Sequence, residues 1–193
     1  MWVFGYGSLM WKVDFPYEKR LVGYVKGYVR RFWQASEDHR GVPGNPGRVV
    51  TLIPSSDPNE CVWGVAYEIQ TDQEDKVLEH LDYREKDGYD KVEVVFHPQD
   101  TKVASFKLTI YVAHQDNPFF LGPATAKEIA NQIHSAEGPS GSNREYVLKL
   151  AEAMRTLVPH VKDQHLFDIE RELLTLDRSN AQPLEASRKS SLA

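Results

Sequence analysis

A glycine-rich turn near the start of the chain has the residue types needed to bind an anion. Trp2, Val3 and Phe4 form an apolar run typical of a short buried strand, and Gly5-Tyr6-Gly7-Ser8 follows without a spacer. Glycine lacks the Cβ that would hold a ligand away and tolerates positive φ, so successive N–H groups in such a turn can point into one concavity. The Ser8 hydroxyl can donate or accept a hydrogen bond at the same place. The other interpretation is an ordinary tight turn, because Gly-x-Gly is a common pattern.

A second candidate is Glu85, a carboxylate on the apolar face of a predicted helix. It lies seven residues after Leu78 and four after Leu81, so a helical period of about 100° per residue places it on their face. Partial burial and the negative end of the helix dipole would raise the pKa of Glu85 toward the range of a general base or acid near neutral pH. The other interpretation is a solvated glutamate, or one paired with Arg84 or Lys86.

The other residue types that do chemistry in proteins form no recognisable site. The seven histidines have no metal-ligand spacing, residues 41 to 47 lack the ending of a P-loop, and no Gly-x-Gly-x-x-Gly occurs. Cys61 lies in an apolar run without a neighbouring base, which is typical of a structural thiol. Four arginines are expected on a solvated face, with one of them a candidate for contact with a substrate carboxylate: Arg30, Arg31, Arg40 and Arg48.

Length and charge narrow the classes of protein that fit. A chain of 193 residues with 41% hydrophobic content can bury roughly 70% of its unfolded surface in one core. The net charge of −5 argues against a nucleic-acid or anionic-membrane partner. The single cysteine cannot pair within the chain, and no apolar span or leader is apparent. We therefore predict a soluble cytosolic protein with a small-molecule ligand.

Six strands are predicted, mainly from alternating apolar residues. The second is predicted as one long, bent strand, because Gly23 and Gly27 interrupt an aromatic and β-branched run. Such bending is what closes a small barrel. The predicted strands cover residues 2–4, 21–35, 48–53, 61–69, 91–97 and 105–112.

Helices are predicted once among the strands and three times in the last third of the chain. The first begins with a capping box from Thr71 to Glu74 and stops at Asp87-Gly88. The expected starts of the last three are Gly122-Pro123, the capping box Ser142-Asn143-Arg144-Glu145, and Asp163. We expect one domain over residues 1–176. Residues 177–193 are expected to be a disordered tail, because they are rich in Ser, Arg and Lys and nearly lack apolar residues.

Four short segments carry the motifs of a known family. Two are specific: Y-G-S-L leaving the first strand, and the glutamate that precedes Lys-x-Gly-Tyr. The segments are Val3-Phe4-Gly5-Tyr6-Gly7-Ser8-Leu9, Arg31-Phe32-Trp33-Gln34, Asp38-His39-Arg40-Gly41 and Asp82-Tyr83-Arg84-Glu85-Lys86. In combination they resemble the γ-glutamylcyclotransferase family, and within it the ChaC-type, glutathione-specific branch. The resemblance extends from residue 1 to about residue 174.

The resemblance implies both a fold and a reaction. The fold is α+β, a small mixed β-barrel of about six strands with surrounding helices. The reaction cleaves glutathione by cyclisation of its γ-glutamyl group and releases 5-oxoproline and cysteinylglycine. By the same resemblance Glu85 is the general base and acid, and no metal, nucleotide or other cofactor is needed. The residues implied to hold the γ-glutamyl group are Val3, Phe4, Gly5, Tyr6, Gly7 and Ser8.

Two alternatives to this function stay open. One is a cyclotransferase of the same fold that acts on other γ-glutamyl amines or peptides. The other is a non-catalytic binding protein that kept the barrel. Glu85 argues against the second alternative, because a binding role alone would not need a base at a helix end.

Overall fold

The computed structural model describes residues 1–84, 89–113 and 115–190, with strands in the first two thirds and helices in the last third. The strands are β1 (Trp2–Gly5), β2 (Lys19–Lys26), β3 (Tyr28–Ser36), β4 (Gly47–Pro54), β5 (Cys61–Glu68), β6 (Tyr89–Pro98), β7 (Phe106–Ala113), β8 (Glu137–Gly138) and β9 (Gly141–Ser142). The helices are a short 3-10 helix (Ser8–Met10), α1 (Glu74–Arg84), α2 (Ala126–Ser135), α3 (Asn143–Leu157) and α4 (Gln164–Ser190).

Five strands close into a barrel in the order β1, β5, β2, β6 and β7. Neighbouring strands are antiparallel, except that β1 and β7 are parallel where they close the barrel. Because β1 is hydrogen-bonded on both sides and its last three residues are buried, the glycine-rich turn leaves from the middle of a fixed sheet. The predicted α+β barrel with surrounding helices is confirmed.

The predicted long strand over residues 21–35 is wrong, because the chain turns at Gly27. This glycine has φ of +82°, a left-handed conformation that other residues rarely adopt. β2 ends there as part of the barrel, whereas β3 pairs with β4 in a separate two-stranded sheet. The barrel therefore has five strands instead of about six. Gly23 is a point of close approach, as predicted, since a Cβ there would lie 2.3 Å from the His97 carbonyl oxygen.

Two predicted helix starts differ from the structure. α1 begins at Glu74, three residues after the predicted cap, and the Glu74 carboxylate binds the N-terminal amine of Met1 instead of closing a capping box. α2 begins after Thr125, which forms a capping box with Glu128. That box, and not Gly122-Pro123, satisfies the first N–H groups of the helix. The predicted stop of α1 at Asp87-Gly88 lies outside the described residues.

The last helix begins as predicted and continues further. Asp163 caps it by accepting a hydrogen bond from the Leu166 N–H at 3.1 Å. Its backbone is helical to Ser190, and the disordered tail from residue 177 onward stays a prediction. Asp177 accepts a hydrogen bond from Arg144 of α3 at 2.6 Å, which ties α4 to α3 at this position.

The core is divided between the barrel interior and a layer of three helices. Apolar side chains of the barrel strands fill its interior, among them Val25, Phe96 and Ile110. The inner faces of α2, α3 and α4 meet in a second cluster, among them Ile129, Leu150 and Ile169. Within the described residues, no helix combines the length and apolar character needed to cross a membrane.

Candidate active site

A cavity of about 640 Å³ lies beside the end of β1. This volume is within the range of small-molecule sites. All of the residues expected to hold the substrate line it: Val3, Phe4, Gly5, Tyr6, Gly7 and Ser8. The other walls come from α1, the end of β3 with the loop that follows it, β7 and α3. Segments far apart in sequence therefore meet around the predicted loop.

Neighbouring atoms leave no room for a side chain at either glycine of the loop. Neither is among the glycines with positive φ, and Gly7 has φ of −126°, so the loop does not use the positive φ that glycine tolerates. A Cβ on Gly5 would lie 2.5 Å from the Leu9 Cβ, because the 3-10 helix folds back against it. A Cβ on Gly7 would lie 2.7 Å from the Tyr146 Oη and 3.0 Å from the Val50 Cγ2. Any larger residue at either position displaces a neighbour.

Hydrogen bonds fix the loop at both of its ends. The Tyr6 hydroxyl donates to the Tyr111 carbonyl oxygen at 2.9 Å, and the Tyr67 hydroxyl donates to the Leu9 carbonyl oxygen at 2.6 Å. Burial raises the pKa of Tyr67, which keeps its hydroxyl protonated as a donor. The backbone of the cavity floor is therefore held in one conformation, as preorganised donors require.

The second half of α1 forms another wall through His80 and Leu81. Leu81 is buried, as predicted for the inner face of this helix. The His80 Nε2 lies 3.0 Å from the Asp14 Oδ2, a contact that joins α1 to the segment after the 3-10 helix. Glu85, the predicted base, lies outside the described residues, one position after Arg84 in the sequence.

Arg40 also lines the cavity and is almost completely buried, with 7% of its surface exposed. Its Nη1 donates to the Ser142 carbonyl oxygen at 3.0 Å and to the Glu145 Oε2 at 2.8 Å. Its guanidinium carbon lies 5.7 Å from the centroid of the Tyr146 ring. The hydrogen bond from Arg40 lowers the pKa of Glu145. The ion pair fixes a cation at the cavity wall.

The β8–β9 hairpin supports the loop that carries Arg40. The Ser140 N–H donates to the His39 carbonyl oxygen at 2.9 Å, and the Ser140 Oγ lies 3.2 Å from the His39 Nδ1. A Cβ on Gly138 would lie 2.4 Å from the same carbonyl oxygen. The hairpin and the loop are therefore packed backbone against backbone.

Three of the four arginines expected on a solvated face are buried: Arg30, Arg40 and Arg48. Arg30 pairs with Asp163 at 2.8 Å, and the Arg48 Nε donates to the Gln132 Oε1 at 2.6 Å. These two bridge the β3–β4 sheet to the helices. Of the four, only Arg40 lines the cavity.

Comparison with known proteins places this architecture in a family. The family model described as "ChaC-like protein" matches residues 1–176. The chain belongs to the ChaC-like family. It is 49% identical over 180 residues to glutathione-specific gamma-glutamylcyclotransferase 1 of Danio rerio, which covers 92% of this chain and 91% of the relative. It is 39% identical over 186 residues to the glutathione-specific gamma-glutamylcyclotransferase of Schizosaccharomyces pombe, covering 90% and 92%.

A solved structure shares the fold of this ChaC-like protein. The crystal structure of a γ-glutamyl cyclotransferase specific to glutathione from yeast superimposes with a TM-score of 0.82 at 32% identity. The match covers 91% of this chain and 96% of that one.

One cavity residue of this ChaC-like protein was missed from sequence. Tyr146 lies on the face of α3 that also carries Leu150, four residues later. From sequence alone it could not be told apart from the apolar residues of that face. Its hydroxyl lies against Gly7 and its ring faces Arg40. An i, i+4 relation to a buried leucine was the available signal, but it predicts burial and not contact with a cavity.

The described residues of this ChaC-like protein contain no group of three His, Cys, Asp or Glu side chains that could hold a metal ion. Cys61 is half-buried, and its thiol donates to the Asn59 carbonyl oxygen at 3.1 Å. Burial raises the pKa of this thiol, which disfavours the reactive thiolate. Cys61 is not among the residues that line the cavity.

Proposed function

We propose that this protein cleaves glutathione by intramolecular cyclisation of its γ-glutamyl group, releasing 5-oxoproline and cysteinylglycine. The observation that carries the proposal is the cavity itself, which is lined by residues 3–8 together with His80 and Leu81 of α1. Membership of the ChaC-like family supports the reaction, since the Danio rerio relative is named as a glutathione-specific cyclotransferase.

The reaction forms one C–N bond and breaks another. The α-amine of the glutamyl group attacks the γ-carbonyl carbon and closes a five-membered lactam. The amide bond from that carbon to the cysteine nitrogen then breaks. One proton leaves the α-amine and one proton reaches the departing nitrogen, so no oxidant or second substrate is consumed. Because both reacting groups belong to one molecule, the protein mainly has to hold the folded conformer.

A base is needed because the neutral α-amine, the minority form at neutral pH given its reference pKa of about 7.7–8.0, must lose a proton as it forms the new C–N bond. We assign this role to Glu85. Its place in the sequence, directly after the helix whose His80 and Leu81 line the cavity, supports the assignment. Glu85 takes the proton from the α-amine and returns it to the cysteinylglycine nitrogen, as a single carboxylate acting as base and then as acid.

We assign the binding of the γ-glutamyl group to the loop of residues 3–8. Its backbone N–H groups and the Ser8 hydroxyl are donors for a carboxylate and for the oxyanion that develops on the γ-carbonyl. The hydrogen bonds of Tyr6 and Tyr67 support this assignment, because fixed donors need no reorganisation when charge develops.

The test is incubation of the pure protein with reduced glutathione, followed by assay of 5-oxoproline and cysteinylglycine. The expected result is release of the two products in equal amounts. Oxidised glutathione and γ-glutamyl-alanine are assayed in parallel, and higher kcat/KM for γ-glutamyl-alanine would favour a cyclotransferase of broader specificity. Binding of glutathione without either product would identify a non-catalytic binding protein and overturn the proposal.

We also propose that the protein works in the cytosol. Cys61 has no disulfide partner, as expected in a reducing compartment, and the net charge of −5 works against attraction to anionic membranes. Cell fractionation checks this, and recovery in a secreted or membrane fraction would contradict it.

A further inference from the structure

We propose that Arg40 forms a second carboxylate subsite in the cavity and binds the glycine carboxylate of glutathione. This inference rests on the proposed function and adds the determinant of specificity for the cysteinylglycine half. Glutathione carries two carboxylates, one at each end, so a site that grips the whole tripeptide needs two separate sets of donors.

The guanidinium of Arg40 is fixed in a way that leaves donors available. Its hydrogen bonds to described residues all use Nη1. The N–H groups on Nε and Nη2 have no acceptor among these residues. Neither atom is among the completely buried side-chain atoms that lack a hydrogen-bond partner, so solvent reaches both. The planar edge formed by Nε and Nη2 matches the two oxygens of a carboxylate. Arg40 lines the cavity, so this edge is accessible to a ligand there.

The position of Arg40 relative to the loop suits the glycine end of the substrate. The ring of Tyr146 separates Arg40 from Gly7: the guanidinium carbon lies 5.7 Å from the ring centroid, and the Tyr146 hydroxyl lies against Gly7. Two residues of extended chain span about 7 Å, which is the reach from the γ-carbonyl to the glycine carboxylate. A γ-glutamyl group held by the loop, with its cysteinylglycine directed along Tyr146, would bring the glycine carboxylate toward Arg40.

Charged groups of both signs surround Arg40. The pKa of Glu145 is lowered first by the hydrogen bond from Arg40 and further by the charges of Lys149 and Lys12, and Lys12 also lines the cavity. Two acidic residues share this wall, Glu37 and Asp38. Asp38 is exposed and faces His39 at 3.8 Å, so solvent screens its charge.

The test combines substitutions of Arg40 with removal of the glycine carboxylate from the substrate. kcat/KM is measured for glutathione and for glutathione whose glycine carboxylate is a carboxamide, with wild type, Arg40→Gln and Arg40→Lys. Arg171→Gln is the matched control, because Arg171 is an exposed arginine of α4 paired with Asp168. Wild type and the control are expected to prefer glutathione roughly 10- to 100-fold, the worth of a charge-assisted hydrogen-bonded pair.

In Arg40→Gln this preference is expected to fall to near one, through a raised KM for glutathione and little change for the carboxamide. Arg40→Lys is expected to restore part of it, because lysine keeps the charge without the two-pronged edge. Thermal unfolding of each variant separates loss of folding from loss of binding. If Arg40→Gln does not fold, the wild-type preference and its partial loss in Arg40→Lys decide the question.

Three results would overturn the inference. An equal loss on both substrates would place Arg40 at the glutamyl carboxylate or in a purely structural role. A wild type that does not discriminate between the two substrates would show that no cation binds the glycine end. Preference retained in Arg40→Lys and Arg40→Gln would place the subsite elsewhere. In each case 5-oxoproline is still released from glutathione, whereas failure of the proposed function gives no product from wild type with either substrate.

Discussion

Replacing Gly7 by alanine tests the role of the loop with a change whose size follows from the structure. The added Cβ would lie 2.7 Å from the Tyr146 Oη and 3.0 Å from the Val50 Cγ2, whereas nonbonded atoms prefer about 3.5–4.0 Å. Relief requires a movement on the order of 0.5–1 Å in the loop or in Tyr146. Overpacking of this kind costs about 1–3 kcal/mol of stability, and a misplacement of about 1 Å near reacting groups can cost roughly 100-fold in rate.

The expected outcome is a fall of roughly 10- to 100-fold in kcat/KM for glutathione, measured by 5-oxoproline release over a range of substrate concentrations. Tyr146→Phe removes the nearer of the two crowding atoms. The double variant Gly7→Ala/Tyr146→Phe is therefore expected to lose much less, relative to Tyr146→Phe, than Gly7→Ala loses relative to wild type. The cycle separates the contact from any other role of the tyrosine hydroxyl.

Two results would refute this reasoning. Wild-type kinetics in Gly7→Ala would show that the loop does not need its present backbone position to bind substrate. An undiminished loss of kcat/KM in the double variant would show that contact with Tyr146 is not the cause. The close contact with the Val50 Cγ2 would then be the one to remove.

Other consequences can be measured independently. Glu85→Gln is expected to lower kcat roughly 100-fold or more without lowering the unfolding temperature, while Glu79→Gln on the same helix serves as control and keeps wild-type activity; an active Glu85→Gln would remove Glu85 from the mechanism. Burial, reinforced by the charge of Arg31, lowers the pKa of His165 to about 4 from 6.5. Between these pH values the unfolded chain binds more protons, so the free energy of unfolding should fall by about 3 kcal/mol as pH drops from 6.5 to 4; chemical denaturation across this range should show a flatter profile in His165→Gln, and an equally steep profile would exclude His165. Thr125→Ala is expected to lower the free energy of unfolding by about 1 kcal/mol through loss of the cap on α2, and an unchanged denaturation midpoint would contradict that.

The ends of the strands in which apolar and polar residues alternate most regularly were predicted to within two residues. Predictions of 61–69, 91–97 and 105–112 correspond to β5 (Cys61–Glu68), β6 (Tyr89–Pro98) and β7 (Phe106–Ala113). Each has one face toward the barrel interior, which gives the alternation its physical basis. The break between β2 and β3 was not predicted, because a glycine in a strand pattern is compatible with both a bulge and a turn. The choice depends on β4, which β3 joins outside the barrel.

The position of the loop was predictable, but the reason for its glycines was not. The sequence Gly5-Tyr6-Gly7 suggests positive φ, whereas both glycines are needed because atoms come too close. The atoms that crowd Gly7 belong to residues 50 and 146, which are remote in sequence. No local pattern carries that information, since local patterns report backbone preference and not distant packing.

The Glu145 carboxylate pairs with Arg40, a residue distant in sequence, instead of completing the local capping-box motif. The sequence Ser142-x-x-Glu145 predicts a capping box, and the Ser142 side chain does cap α3 by accepting the Glu145 N–H at 3.2 Å. The Glu145 carboxylate binds Arg40 instead of completing the box. A capping contact is worth about 1 kcal/mol, whereas a buried guanidinium without a carboxylate partner costs more than that. Because Arg40 lies 105 residues before Glu145 in the chain, only the folded arrangement decides the competition. A glutamate in the first turn of α3 thereby fixes the cation at the cavity wall.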